Sequence, residues 1–252
     1  MLRPVKKKFG QHFLADPNIL DVIGRLAELD AGDVVLEIGP GQGVLTRYLA
    51  ERVRLVHAVE IDAELEPGLR ELGSNVDVSF GDALQVELPQ DATKLVANLP
   101  YNVATPLIVE SLDGLPNVRL WCVMVQREVA DRFFAAPGTK DYNAVSVLVQ
   151  LAAEKTGFHP VSRTVFRPPP NVDSALVAFR RTELPADFSR LKRVVVSAFM
   201  HRRKTLANSL DLRGVATRAQ AAEALVAIGH APETRAEALE PHEFVVLAEA
   251  LR

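Results

Sequence analysis

The chain has one cysteine, one tryptophan, three methionines and three tyrosines in 252 residues, and these scarcities set its first limits. A lone thiol closes no internal disulfide. Cys122 lies in the apolar run Leu120-Trp121-Cys122-Val123-Met124-Val125, which reads as a buried strand and not as a nucleophile's setting. The six histidines are scattered without metal-ligand spacing, so no metal site is expected. No window offers about 18 uninterrupted apolar residues, so no membrane span is expected. Between Phe9 and Leu20 the chain carries Gln, His, Asp, Pro and Asn, where a secretory signal would have an apolar stretch. A cytoplasmic protein is the expectation. Internal repeats and low-complexity segments are absent.

What is present is an apolar fraction of 48%, enough for a full core, and a length that suits one large domain plus a small one. Asp33–Ile38 is an apolar run ending in Gly39-Pro40-Gly41-Gln42-Gly43, and an apolar-periodic segment (Val44, Leu45, Tyr48, Leu49) follows. Strand, glycine-rich turn and helix form the first βα unit of a dinucleotide-type fold, where glycines let the backbone approach a ligand. A second strand, 55–59, ends at Glu60, a carboxylate suited to two ribose hydroxyls. A third (Val76, Val78, Phe80) ends at Gly81-Asp82-Ala83, where Asp82 can accept from an adenine amine. Val44 stands where a nicotinamide fingerprint has its last glycine, and Glu37 precedes the first glycine by two. Both features favour S-adenosyl-L-methionine over NAD as the cofactor.

The fourth strand, Leu95-Val96-Ala97, ends in Asn98-Leu99-Pro100-Tyr101. This tetrad carries the most chemistry. An amide oxygen on Asn98 and the Leu99 carbonyl can hold the two hydrogens of an exocyclic amine, while Tyr101 covers the ring. Taken alone, N-x-P-Y is more often a strand followed by a proline turn. In company it means more: Gly39, Glu60, Asp82 and Asn98 come in order at βαβ spacing, on the rim where open α/β sheets bind ligands.

The order of these motifs resembles that of the Rossmann-fold adenine-N6 methyltransferases that act on ribosomal RNA. Within them it most resembles the KsgA family, which dimethylates two adjacent adenosines near the 3′ end of small-subunit ribosomal RNA. Lys7-Lys8-Phe9-Gly10-Gln11-His12-Phe13-Leu14 is similar to the family's N-terminal motif, usually Q-N-F-L, with His12 in place of Asn. Residues 165–174, Val-Phe-Arg-Pro-Pro-Pro-Asn-Val-Asp-Ser, are similar to its F-x-P-x-P-x-V-D-S signature. Arg202-Arg203-Lys204-Thr205-Leu206-Ala207-Asn208-Ser209-Leu210 is similar to its R-R-K-T-L-x-N-x-L helix start. The macrolide-resistance enzymes that methylate large-subunit RNA share the first motifs, but the last one and the helical tail are closer to KsgA.

The resemblance implies an α/β fold, a Rossmann-like class I methyltransferase sheet over 1–183, with a small all-α RNA-binding domain over 184–252. It implies cofactor contacts from Glu37, Gly39, Gly41, Glu60, Ile61, Asp82, Ala83 and Asn98, with Gln11, His12 and Leu14 as a flap. It implies catalysis at Asn98, Leu99, Pro100 and Tyr101, with Phe166 on the other face of a flipped base. The Arg-Pro-Pro-Pro after Phe166 suggests a stiff exposed loop. No general base, essential cysteine or metal is expected, because the amine's proton is lost only after transfer.

A net charge of −3 suits an RNA enzyme only through its distribution. Residues 1–12 carry four bases and no acid, and residues 180–218 carry ten bases against three acids. Two basic stretches on an acidic body are the footprint of a phosphate backbone. Lys6, Lys7, Lys8, Arg202, Arg203 and Lys204 are the candidate RNA contacts, and a small-subunit precursor met by a monomer is the expected partner. Other readings stay open: a large-subunit enzyme of the resistance type, a non-catalytic ribosome-assembly factor, or a nicotinamide oxidoreductase. The last lacks the third glycine and has no use for a basic tail.

Overall fold

The structure is a computed structural model that describes residues 13–14 and 16–251. Its elements in chain order are β1 (Phe13–Leu14), α1 (Pro17–Leu26), β2 (Val34–Ile38), α2 (Val44–Ala50), β3 (Leu55–Glu60), α3 (Glu66–Leu69), β4 (Val76–Phe80), β5 (Lys94–Asn98), α4 (Ala104–Gly114), β6 (Leu120–Gln126), α5 (Arg127–Phe133), α6 (Ala144–Ala152), β7 (Ala153–Val161), β8 (Phe166–Arg167) and β9 (Ser174–Arg181). Four further helices follow: α7 (Phe188–Phe199), α8 (Leu206–Leu212), α9 (Arg218–Ala227) and α10 (Pro241–Ala250).

Seven strands form one sheet in the order β4-β3-β2-β5-β6-β9-β7. From β4 to β6 every pairing is parallel, and β9 runs antiparallel to β6. The central strands are mostly apolar because helices cover both faces of such a sheet: all five residues of β2 are buried, Glu37 among them. Trp121 on β6 sits in register with Phe179 on β9, and the rings stack with centroids 5.3 Å apart. The chain leaves β2 towards β3 on one side and returns to β5 on the other. This reversal puts a crevice beyond the strands' C-terminal ends.

Local signals account for most element boundaries. Asp16 caps α1 by accepting from the Asn18 amide at 2.9 Å, with Pro17 as first helical residue. The α1 helix stops at Leu26 and not near Leu29, as its apolar pattern predicts. Glu28 turns left-handed (φ 49°), and Asp33 then accepts from the Asp30 amide at 2.7 Å in the turn that feeds β2. The α4 helix starts at Ala104 and has no side-chain cap, so Pro106 is its third residue. Asn143 and Ser146 form a capping box on α6. Periodicity gives no sign of the antiparallel ribbon β1–β8, in which Phe13 pairs with Arg167 and Leu14 with Phe166.

The chain divides into two compact units, one comprising residues up to 130 with 155–181, the other 131–154 with 182–252. The covalent crossing at 181/182 lies beside the expected boundary at 183/184. The helical unit also takes 131–154, which the sequence pattern places in the sheet domain. The reason is packing: buried Tyr142 donates to the Leu239 carbonyl at 2.8 Å and meets Phe199 edge-on, and the Gly138 amide donates to the Glu237 carbonyl. In the sheet unit, Lys94 at the start of β5 pairs with Asp33 at 2.7 Å, with side-chain exposures of 11% and 5%, and also donates to the Glu28 carbonyl.

Breaking one side of a buried pair strands the other charge. Lys94→Met should therefore cost roughly 3–5 kcal/mol in chemical denaturation, and a second change, Asp33→Asn, should recover part of it.

Candidate active site

The C-terminal ends of β2, β3, β4 and β5 open on one cavity of about 240 Å³. Gly39, Glu60, Asp82 and Asn98, expected on one rim from spacing alone, all line it. Glu37, Gly41, Ile61 and Ala83 line it too, as do Leu14 and the rest of the tetrad, Leu99, Pro100 and Tyr101.

The glycine turn is shaped by what it must approach. Gly39 has φ 74°, and its amide donates to the Val59 carbonyl at 2.9 Å. A Cβ built there would lie 3.3 Å from Cγ of Pro100. Gly41 is also left-handed (φ 57°), and its amide donates to Oε2 of Glu60 at 3.0 Å. The other oxygen of Glu60 accepts from the Asp62 amide at 2.9 Å. Glu60 therefore ties the glycine turn to the end of β3, and the carboxylate keeps a lone pair for a ligand hydroxyl. Burial raises its pKa, and the Asp62 and Gly41 amides oppose the rise. Asp82 is held in a similar way. Oδ1 accepts from the Leu84 amide and Oδ2 from the Gln85 side chain, both at 3.0 Å.

At the end of β5, Leu99 is 1% exposed and its amide donates to the Met124 carbonyl at 3.0 Å, continuing the pairing with β6. The Pro100 carbonyl accepts from the Val103 amide and turns the chain into α4. The Leu99 carbonyl accepts no hydrogen bond among the described residues. An amide side chain, an unengaged carbonyl and an aromatic ring thus stand together at the cavity edge.

A sequence model of the ribosomal RNA adenine dimethylase family matches residues 3–251. The chain belongs to this family. It is 47% identical over 249 residues to the ribosomal RNA small subunit methyltransferase A of Rubrobacter xylanophilus, covering 96% of this chain and 93% of that protein. Its identity to the protein of the same name from Lactococcus lactis is 41%, over 98% of this chain and 90% of the other. Among solved structures, a dimethyladenosine transferase from Plasmodium falciparum superposes with a TM-score of 0.75 at 27% identity, covering 94% of this chain and 96% of that one. The 23S rRNA methyltransferase ErmE gives 0.66 at 31% identity, covering 95% and 99%. The fold is that of a Rossmann-like class I methyltransferase.

Within this dimethylase, two expected residues sit differently from what their sequence suggests. Phe166 does not lie on an exposed loop. It is 1% exposed, pairs with Leu14 in the β1–β8 ribbon and packs in the core with Ile19, Val161 and Leu176. In this arrangement its ring packs among apolar neighbours. Arg202 is exposed, but its guanidinium donates to the Lys140 carbonyl at 3.0 Å and so braces a loop of the helical unit. Arg203 and Lys204 are exposed. Gln11, His12, Lys6, Lys7 and Lys8 lie outside the described residues. Among the described residues no group of His, Cys, Asp or Glu could hold a metal ion, and Cys122 is buried with its thiol pushed up to about 12. No helix among them is long and apolar enough to cross a membrane. Sequence reasoning missed Ser174, whose hydroxyl lies 2.6 Å from that of Tyr101, although the residue closes a motif that it had singled out.

Glu37 is the strongest electrostatic feature of the site. Burial pushes its pKa from 4.5 up to about 8; the nearby Thr46 hydroxyl opposes the rise and the Glu60 carboxylate adds to it. Its Oε2 is buried and has no hydrogen-bond partner. A cavity with an unpartnered carboxyl oxygen at its floor fits a ligand that brings a cation or a donor. Because the folded-state pKa is the raised one, Glu37's contribution to stability is intact below pH 4.5 and is lost as pH climbs towards 8. Glu37→Gln should therefore unfold at a higher denaturant concentration than the unaltered protein at pH 8.5. That gap should shrink steadily by pH 5.

Proposed function

We propose that this chain transfers methyl groups from S-adenosyl-L-methionine to the N6 amines of two adjacent adenosines near the 3′ end of small-subunit ribosomal RNA. The observation that carries this reading is the placement of the Asn98–Tyr101 tetrad on the cavity built by Glu37, Gly39, Glu60 and Asp82. Cofactor-type carboxylates and an amine-holding tetrad share one space. The 47% identity to a small-subunit enzyme, against 31% to ErmE, favours the small-subunit substrate.

The residues present fit the cofactor. Glu60 offers lone pairs to ribose hydroxyls, Asp82 offers them to an adenine amine, and Ile61 is an exposed apolar side chain at the cavity edge. Glu37, once ionised, suits a positively charged ligand. The cofactor supplies an electrophilic methyl on a sulfonium.

The adenine amine is a poor nucleophile because its lone pair is delocalised into the ring. Asn98 and the Leu99 carbonyl act on that property. Accepting both N–H bonds favours a tetrahedral nitrogen, which recovers a directed lone pair. Tyr101 holds the extruded base by stacking, worth about 1–3 kcal/mol. Alignment of this kind contributes roughly 7–11 kcal/mol in the best cases. No side chain has to remove a proton first, because the nitrogen becomes acidic only once methylated. The helical unit, with Arg203 and Lys204 exposed, would bind the RNA backbone.

The direct test is transfer of labelled methyl to small subunits that lack this modification, followed by nucleoside analysis. Dimethyladenosine at two adjacent positions near the 3′ end is the expected result. Label on large-subunit RNA alone would move the assignment to the resistance type, and RNA binding without transfer would make the protein an assembly factor. Asn98→Ala should abolish transfer and leave RNA affinity unchanged. Arg203→Ala with Lys204→Ala should weaken RNA binding at all sequences and flatten its dependence on salt, the slope falling by roughly 1 for each phosphate no longer neutralised. Affinity for the cationic cofactor should rise between pH 6.5 and 8.5 as Glu37 ionises, and Glu37→Gln should flatten that profile.

A further inference from the structure

Tyr101 and Ser174 are 73 residues apart in sequence, yet their hydroxyls lie 2.6 Å apart. Tyr101 stands beyond the end of β5. Ser174 is buried at the start of β9, paired in register with Gln126 at the end of β6. Because β6 lies between β5 and β9, the phenol reaches across the end of β6 to meet the serine. The serine's own position is secured by the residue before it. Asp173 accepts from the Arg163 amide through Oδ1, and its carbonyl accepts from the Arg127 amide, both at 3.0 Å.

We propose that Ser174 is a positioning residue for methyl transfer, its hydroxyl fixing the Tyr101 ring as the platform for the target base. This rests on the reading of Tyr101 as the ring that stacks on that base. A tyrosine ring swings on its first side-chain torsion, and a hydrogen bond at its far end to a buried group stops that swing, while the phenol O–H's preference for the ring plane biases the second. The base stacked on it then inherits a fixed position, which sets where its amine lies relative to Asn98. A displacement of about 1 Å at such a site costs on the order of 100-fold in rate. Burial also raises the phenol's pKa, so the hydroxyl stays protonated and the bond persists at neutral pH. A bond that merely satisfied a buried serine would affect stability and leave turnover alone.

The experiment compares Ser174→Ala, Ser174→Thr, Tyr101→Phe and the double variant Tyr101→Phe with Ser174→Ala, using unmodified small subunits as substrate. Thermal melts and cofactor binding confirm that each variant is folded and loads normally. Ser174→Ala should lower kcat roughly ten- to hundred-fold with the cofactor KM unchanged. Ser174→Thr, which keeps the hydroxyl, should restore most of that loss. In the Tyr101→Phe background Ser174→Ala should cost nothing further, because the bond is already gone. Equal turnover of Ser174→Ala and the unaltered protein overturns the inference, and so do losses that multiply independently in the double variant. If the unaltered protein itself transfers no methyl to any ribosomal RNA, the parent reading falls and this one with it, a result distinct from either.

Discussion

The approach of Gly39 to Pro100 is the contact on which the rest of the site depends. β2 and β5 are neighbours at the reversal of the sheet, and their next residues must share the crevice between them. A side chain at position 39 would have to adopt a left-handed backbone and press its Cβ to within 3.3 Å of the proline ring. Only glycine meets both demands without strain. The proline contributes its own restriction. It supplies no amide to the crowded crevice, and it restricts the backbone of Leu99 before it to extended conformations. The glycine turn and the Asn98–Tyr101 tetrad thus meet where Gly39 approaches the proline ring. No long side chain with freedom to wander bridges them.

That arrangement places two carboxyl groups in the buried end of the sheet. Glu37 and Glu60 are both buried, and the Glu60 carboxylate adds to the cost of ionising Glu37. Glu60 is compensated by backbone amides and so doubles as a brace between β3 and the glycine turn. Glu37 has no such compensation at Oε2. Burial pushes the carboxyl's pKa up to about 8, so stability is given up at a position where a ligand bringing a donor or a cation would restore it. The opposite ends of β2 and β5 carry the contrary solution, a lysine and an aspartate paired at 2.7 Å where no ligand is expected. Paired charge at one end and an unpartnered carboxyl oxygen at the other distinguish a structural ion pair from a binding group.

The sheet and its ligand rim are legible in the sequence because their signals are local. Apolar runs end in short, chemically distinctive residues, and βαβ spacing places those residues at one edge. The tetrad is legible for the same reason. Phe166 is not, because a two-residue ribbon has no periodicity and three consecutive prolines suggest exposure. Its burial depends on pairing with Leu14, 152 residues earlier, which no local pattern encodes. The affiliation of 131–154 with the helical unit depends likewise on Tyr142 finding Leu239 and Phe199. Arg202 shows the limit from the charged side: a basic run predicts where cations are, and the carbonyl of Lys140 decides which one is partly committed to structure.

The late motif illustrates how one segment divides labour between folding and chemistry. Its aromatic residue is buried in the core, and its last residue, Ser174, reaches the Tyr101 ring that lines the cavity. Between them Asp173 accepts two backbone hydrogen bonds that stop the segment from sliding along β6. A one-residue slip would turn Ser174 to the other face of the sheet, because strand side chains alternate. Placing a small hydroxyl accurately therefore needs a register lock more than it needs a rigid loop. The same logic explains why the tether comes from β9, the antiparallel strand. Its N-terminus lies at the rim where the parallel strands end, so its first side chain can enter a site otherwise built from strand C-termini.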